Sequence, residues 1–183
     1  MEQSIVIAGF GGQGVLLAGT ILANAFMYND KKVTWYPCYG AEMRGGAVNC
    51  EIVVSDEEVT SVHKKEADIL IALNDLSFEK FINRVKSGGT LIANSSLIEE
   101  KRPKDGINYI FAPISDIAGK SGNIKSTNMT ALGILSTVCE NVNAEKLEQA
   151  IETALSPNKM HLKEINLNAL MAGCNYKNFE QEK

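Results

Sequence analysis

Three glycines with fixed spacing are the first residues here that could do chemistry. Gly9-Phe10-Gly11-Gly12-Gln13-Gly14-Val15 puts glycines at 9, 11 and 14, the G-x-G-x-x-G spacing of a phosphate-binding turn. The residues before it, Ile5-Val6-Ile7-Ala8, are apolar and mostly β-branched, as a buried parallel strand requires. The residues after it, 15–26, read as a helix. Strand, glycine turn and helix start therefore follow in the order that aims free N–H groups and a positive helix end at an anion. The double glycine at 11 and 12 marks backbone that something must approach closely. A tight turn that merely lets helix and sheet pack is the plainer alternative.

The nicotinamide version of this site needs an acid about 20 residues further on to hold a ribose. The second strand, 32–36, instead runs into Pro37-Cys38-Tyr39-Gly40, and Asp30 precedes it. No arginine stands at that strand end either, since Arg44 comes eight residues after Tyr36. A second segment, Tyr39-Gly40-Ala41-Glu42-Met43-Arg44-Gly45-Gly46, joins the second and third strands. In an open α/β sheet the loops at the carboxyl ends of strands line the ligand crevice, so this loop should face the first glycine turn. Arg44 between glycines is a fork for a carboxylate or phosphate. Glu42 either orients it or only pairs with it to shape the loop. Gly119-Lys120-Ser121 imitates the end of a Walker A loop, but position 114 is Ile114 where that motif needs glycine. Lys120, Lys125, Ser126 and Thr127 are left as a basic loop, either solvated or reaching a phosphate.

These residues need a scaffold, and the rest of the chain supplies one. Further strands are expected at 47–54, 69–73, 90–93 and 108–112. A helix follows Asn74, which is a capping residue, and Gly88-Gly89 is expected to end it. An apolar helix over 128–139, an amphipathic one over 144–155 closed by Ser156-Pro157, and a last one over 160–172 stopped by Gly173 complete the pattern. Strands alternating with helices predict an α/β fold: a three-layer, mostly parallel Rossmann-like sheet with helices on both faces. The 183 residues make one domain, with the helices of 144–172 packing on it and a frayed polar tail at 178–183.

Composition excludes several classes. The net charge of −4 gives no basic footprint for nucleic acid. No apolar run is long enough to span a bilayer, and the N-terminus lacks the basic region and cleavage site of a signal peptide, so a cytoplasmic protein is expected. Cys38, Cys50, Cys139 and Cys174 are scattered without a C-x-x-C pair, which argues against a cluster or structural zinc held by this chain alone. His63 and His161 lie among charged neighbours and read as surface residues.

Taken together, the glycine turn at 9–15 and the segment at 39–46 resemble the gamma subunit of the 2-oxoacid:ferredoxin oxidoreductases, most closely the 2-oxoglutarate or general 2-oxoacid branch. The resemblance extends through the strand at 69–73, the Gly88-Gly89 turn and the helix start at 128–135. It implies a non-autonomous part of an enzyme that decarboxylates a 2-oxoacid oxidatively, makes an acyl-coenzyme A and passes electrons to ferredoxin. Alpha and beta subunits, and often a delta subunit, are the implied partners. Thiamine diphosphate, magnesium and [4Fe-4S] clusters are implied on those partners, none on this chain. The gamma domain is implied to cover the active-site region and to help bind coenzyme A, with Gly9, Gly11, Gly12, Gln13, Gly14, Tyr39, Gly40, Glu42, Arg44, Gly45 and Gly46 as the contacting positions. No catalytic residue and no metal ligand is implied on this chain. Apolar faces made for partners leave a homodimer open for the isolated chain. A free-standing Rossmann-type oxidoreductase and a nucleotide-sensing module remain as rival readings.

Overall fold

The computed structural model describes residues 2–38, 47–99, 105–155 and 157–177. At its centre is β1 (Glu2–Phe10), whose residues 4–9 are buried. Its alternate side chains feed two cores. Ile5 and Ile7 join one on one side of the sheet, Val6 and Ala8 the other. Burial on both faces is what an apolar, non-alternating strand should show.

The glycine turn leads into α1 (Val15–Met27), then β2 (Lys32–Cys38) and β3 (Ala47–Ser55). β4 (Ala67–Ala72), α2 (Asp75–Phe81), β5 (Val85–Asn94) and β6 (Asn108–Ala112) follow. The chain ends in α3 (Ile114–Lys120), α4 (Thr127–Ser136), α5 (Ala144–Ala154) and α6 (Lys163–Cys174). The six strands form one sheet in the order β2-β3-β1-β4-β5-β6. β1, β4, β5 and β6 pair in parallel, and β3 runs antiparallel between β1 and β2. The α/β, mostly parallel architecture is as the sequence predicts, with one strand reversed. Among the described residues no helix is long and apolar enough to cross a membrane.

The two faces are covered unequally. The larger core gathers α1, α4, α5 and α6 residues over Ile5, Ile7, Cys50, Ile52, Ile69 and Ile71. The smaller core packs Phe78 and Phe81 of α2 over Val6, Ala8, Leu70 and Leu91. The connection after β1 therefore crosses on one face and the connection after β4 starts on the other. The gap between the ends of β1 and β4 is thus a topological switch point, where open α/β sheets take their ligands.

Three local expectations are corrected. Gly88-Gly89 does not end a helix: α2 stops at Phe81, a short 3-10 turn (Ile82–Arg84) follows, and both glycines lie inside β5. A Cβ on Gly89 would meet Asp68 O and Lys86 O, each at 2.9 Å, so close backbone approach is the reason for that glycine. Gly173 does not stop the last helix, which runs to Cys174. That helix also starts later than 160, because residues Pro157–Leu162 form a 3-10 segment. Residues 178–183 and Ser156 lie outside the described residues.

Candidate functional site

The turn after β1 is built from glycines that each answer a different constraint. Gly12 (φ 96°) and Gly14 (φ 71°) occupy left-handed backbone, which costs an L-residue about 1–2 kcal/mol. A Cβ on Gly9 would lie 2.7 Å from Gln13 Oε1 and 2.9 Å from Val15 Cγ2, and one on Gly14 would be driven into the Asn128 amide. A Cβ on Gly12 would meet nothing within 4 Å. Gly11 and Gly12 are exposed. The closely packed glycines are thus fixed from inside, while the double glycine is bare toward solvent.

Behind this turn stands the start of α1. Gly14 caps it with no side-chain hydrogen bond, and no acid lies in its first turn. α2 and α5 begin differently: Asn74 accepts from the Ser77 N–H, and Asn143 from the Lys146 N–H. An uncapped helix start leaves orphan N–H groups and a partial positive charge. α4 is joined to the same place, since Asn128 Nδ2 donates to Gly14 O at 3.2 Å, and α4 also begins without a side-chain cap.

Gln13 faces inward. Its Oε1 accepts from the Phe10 N–H at 2.6 Å and from Asn74 Nδ2 at 2.9 Å, and its Nε2 donates to Leu73 O at 3.3 Å. It thereby bridges the ends of β1 and β4. What the turn offers outward is backbone.

Of the residues singled out in the sequence, Gly9, Gly11, Gly12, Gln13 and Gly14 form this one turn. Tyr39, Gly40, Glu42, Arg44, Gly45 and Gly46 lie outside the described residues. The residues on either side of that segment are placed. Ala47 is the register partner of Phe10, and Cys38 pairs with Asn49, which pairs with Ala8. Cys38 and Ala47, the described residues on either side of that segment, therefore lie at the strand end that carries the glycine turn.

Sequence reasoning missed two clusters. The first lies under the strand tips. Asn94 Nδ2 donates to Leu73 O at 3.1 Å and to Ser115 Oγ at 2.8 Å, and Thr127 Oγ1 donates to Ser115 Oγ at 3.4 Å. An asparagine directly after an apolar strand, as at Leu73-Asn74 and Ala93-Asn94, was the available signal. The second is on β3. Glu51, only 4% exposed, accepts from Arg84 Nη1 at 2.6 Å and Nη2 at 3.1 Å, and lies 2.8 Å from His63 Nδ1. Its signal was a carboxylate in an otherwise apolar strand.

Burial pushes the Cys50 thiol up to about 12 and raises Cys139 as well. Neither is poised as a nucleophile. Among the described residues no three of His, Cys, Asp and Glu gather where they could hold a metal ion.

A family model described as pyruvate ferredoxin/flavodoxin oxidoreductase matches residues 4–176. The 2-oxoglutarate synthase subunit KorC of Methanothermobacter marburgensis is 35% identical over 180 residues, covering 94% of this chain and 95% of the relative. The ketoisovalerate oxidoreductase subunit VorA of the same organism is 34% identical over 184 residues, covering 99% of this chain and 38% of the relative. The chain thus spans a little over a third of the length of that relative. Among solved structures, the gamma subunit of a keto/oxoacid ferredoxin oxidoreductase from Geobacter sulfurreducens matches with a TM-score of 0.81 and 29% identity, over 93% of this chain and 95% of that one. A chain of the 2-oxoglutarate:ferredoxin oxidoreductase from Magnetococcus marinus, solved with 2-oxoglutarate, coenzyme A and succinyl-CoA bound, matches with a TM-score of 0.84 over 94% of this chain and 30% of that one. At 22% identity it speaks for the fold alone.

Proposed function

The chain belongs to the pyruvate ferredoxin/flavodoxin oxidoreductase family, and on that premise we propose that it is the gamma-type subunit of a cytoplasmic 2-oxoacid:ferredoxin oxidoreductase. In this reading the complete enzyme converts a 2-oxoacid and coenzyme A to an acyl-coenzyme A, and this chain helps to hold the coenzyme. The substrate proposed is 2-oxoglutarate, because the 2-oxoglutarate synthase relative is 35% identical over 180 residues. Alpha and beta subunits, with or without a delta subunit, carry thiamine diphosphate, magnesium and the [4Fe-4S] clusters in this proposal.

One observation carries the reading: the exposed Gly11-Gly12 backbone over the uncapped start of α1, at the topological switch point. Such a place receives a phosphate through N–H groups and helix dipole. Magnitudes argue that it does not act alone. A helix end contributes about 0.3–1 kcal/mol and a charge-assisted hydrogen bond about 1.5–3 kcal/mol, while millimolar affinity already requires about 4 kcal/mol. Arg44, between Cys38 and Ala47 in the chain, is the proposed second contact, as a bidentate donor to phosphate or carboxylate, with Glu42 orienting it. The surroundings favour a partner polypeptide. Phe10, at the end of β1, is exposed, as are Leu17, Leu76 and Leu97 on the turns or first helical turns that follow β1, β4 and β5.

The test uses the enzyme isolated with its partner subunits. Arg44→Ala should raise the apparent KM for coenzyme A or for the 2-oxoacid by about ten- to a hundredfold, the loss of one charge-assisted contact. Unchanged kinetics would remove Arg44 from the site. Recovery of the native chain alone, with no larger subunits, would overturn the subunit reading.

A further inference from the structure

Gln13 stands in the switch-point gap where a ligand is expected, yet both polar atoms of its side chain are bonded to the protein. Its Oε1 holds the Phe10 N–H and Asn74 Nδ2, and its Nε2 holds Leu73 O. That carbonyl also accepts from Asn94 Nδ2, and Asn94 Oδ1 accepts from the Ser115 N–H at 3.2 Å. Asn74 and Asn94 are 1% and 0% exposed. A line of amides thus runs from the glycine turn across the ends of β4 and β5 to α3.

We infer that Gln13 and Asn74 form a clamp that fixes the Gly11-Gly12 turn in its receiving shape without touching the ligand. The inference rests on the coenzyme A reading of that turn. An exposed double glycine would otherwise spread over many backbone states and would have to be ordered when the ligand arrives. The clamp ties the turn at Phe10 and Gln13 beforehand. It also accounts for Gly9: a Cβ there would stand 2.7 Å from Gln13 Oε1, in the place the clamp needs.

The chemistry of the clamp is directional, which makes it testable with near-isosteric changes. Gln13→Glu keeps an acceptor for Phe10 N–H and Asn74, but turns an oxygen toward Leu73 O where a donor stood. Asn74→Asp keeps the cap on Ser77, since Asp caps as well as Asn, but removes the donor to Gln13 Oε1. Both are positioning residues, so a readout that general destabilisation would not reproduce is needed.

The experiment measures, in the assembled oxidoreductase, KM for coenzyme A and for the 2-oxoacid, together with amide hydrogen exchange in a peptide spanning 9–17 and in a control peptide from α6. Each variant should raise KM for coenzyme A by about tenfold, shift KM for the 2-oxoacid by less than about twofold, and speed exchange only at 9–17. Unchanged exchange at 9–17 in both variants overturns the clamp, whatever the kinetics. Faster exchange at 9–17 with an unchanged KM for coenzyme A leaves the clamp standing and overturns the ligand assignment on which the inference rests.

Discussion

Glu51 shows how a single residue can organise a stretch of chain that carries no regular structure. A carboxylate this buried is costly unless paired and hydrogen-bonded. Arg84, from the 3-10 turn before β5, supplies a two-pronged pairing and also donates to Lys64 O at 2.6 Å. His63 adds a third contact from the connection between β3 and β4. Its side chain is 61% exposed, as the sequence predicts, but its Nδ1 is turned to Glu51. No spacing rule links positions 51, 63 and 84, so only the oddity of an acid in an apolar strand was legible beforehand. Arg84→Ala leaves the buried carboxylate with His63 as its remaining partner and should cost about 3–5 kcal/mol in urea unfolding. Removing both charges, as in Glu51→Leu with Arg84→Met, should recover most of that. A loss below about 1 kcal/mol for Arg84→Ala, the level of a surface pair, would mean that Glu51 does not depend on this arginine.

At the scale of elements, what was legible and what was not divides along local and tertiary signals. β1, the glycine turn and α1 follow from contiguous residues, and the structure places them where the sequence does. The reversed direction of β3 leaves no mark on its sequence, because alternation and apolar content are the same for either direction. Much of the candidate turn was legible for the same local reason. The amide line behind it was not, since Gln13, Leu73, Asn94 and Ser115 meet only after the sheet is assembled. α4 was legible as buried, and Thr127–Leu135 are buried throughout. Its partner was not, and that partner explains Gly173. A Cβ on Gly133 would be driven into Leu170 O, and one on Gly173 into Thr130 O. The two helices touch backbone to backbone at these glycines. Propensity alone makes Gly→Ala in a helix favourable by about 1 kcal/mol. Here overpacking should reverse the sign, so that Gly133→Ala and Gly173→Ala each destabilise by about 1–3 kcal/mol. A raised Tm for either variant in calorimetry would show that the crossing is looser than this geometry.

Across the whole molecule, the two ends of the sheet are held by different chemistry. The carboxyl end is tied by neutral amides and hydroxyls: Gln13, Asn74, Asn94 and Ser115. The amino end is tied by ions around a notch of about 440 Å³ lined by Glu2, Ser4, Lys64, Lys65, Glu66, Asp68 and Lys86. Asp68 is its hub. Its Oδ2 accepts from the Ser4 N–H at 2.7 Å and from Ser4 Oγ at 2.8 Å, and its Oδ1 pairs with Lys86, so it links the starts of β1, β4 and β5. Burial works to raise this carboxyl, but the hydrogen bonds from Lys86 and Ser4 and the charge of Lys86 outweigh it and hold the group below the usual carboxylate range. A folded-state value below the unfolded one contributes stability that is complete above the ordinary carboxylate pKa and is lost as pH falls toward the folded value. Urea midpoints measured from neutral pH downward should therefore fall below about pH 4, and Asp68→Asn should be less stable at neutral pH yet flatter in that acid range. Hydrogen-exchange protection below about pH 4 should be lost first in the opening residues of β1, β4 and β5 while the 9–17 segment stays protected, because nothing in the amide clamp titrates there. Simultaneous loss of protection at both ends would mean that the sheet responds to acid as one unit and that Asp68 is not its first point of release.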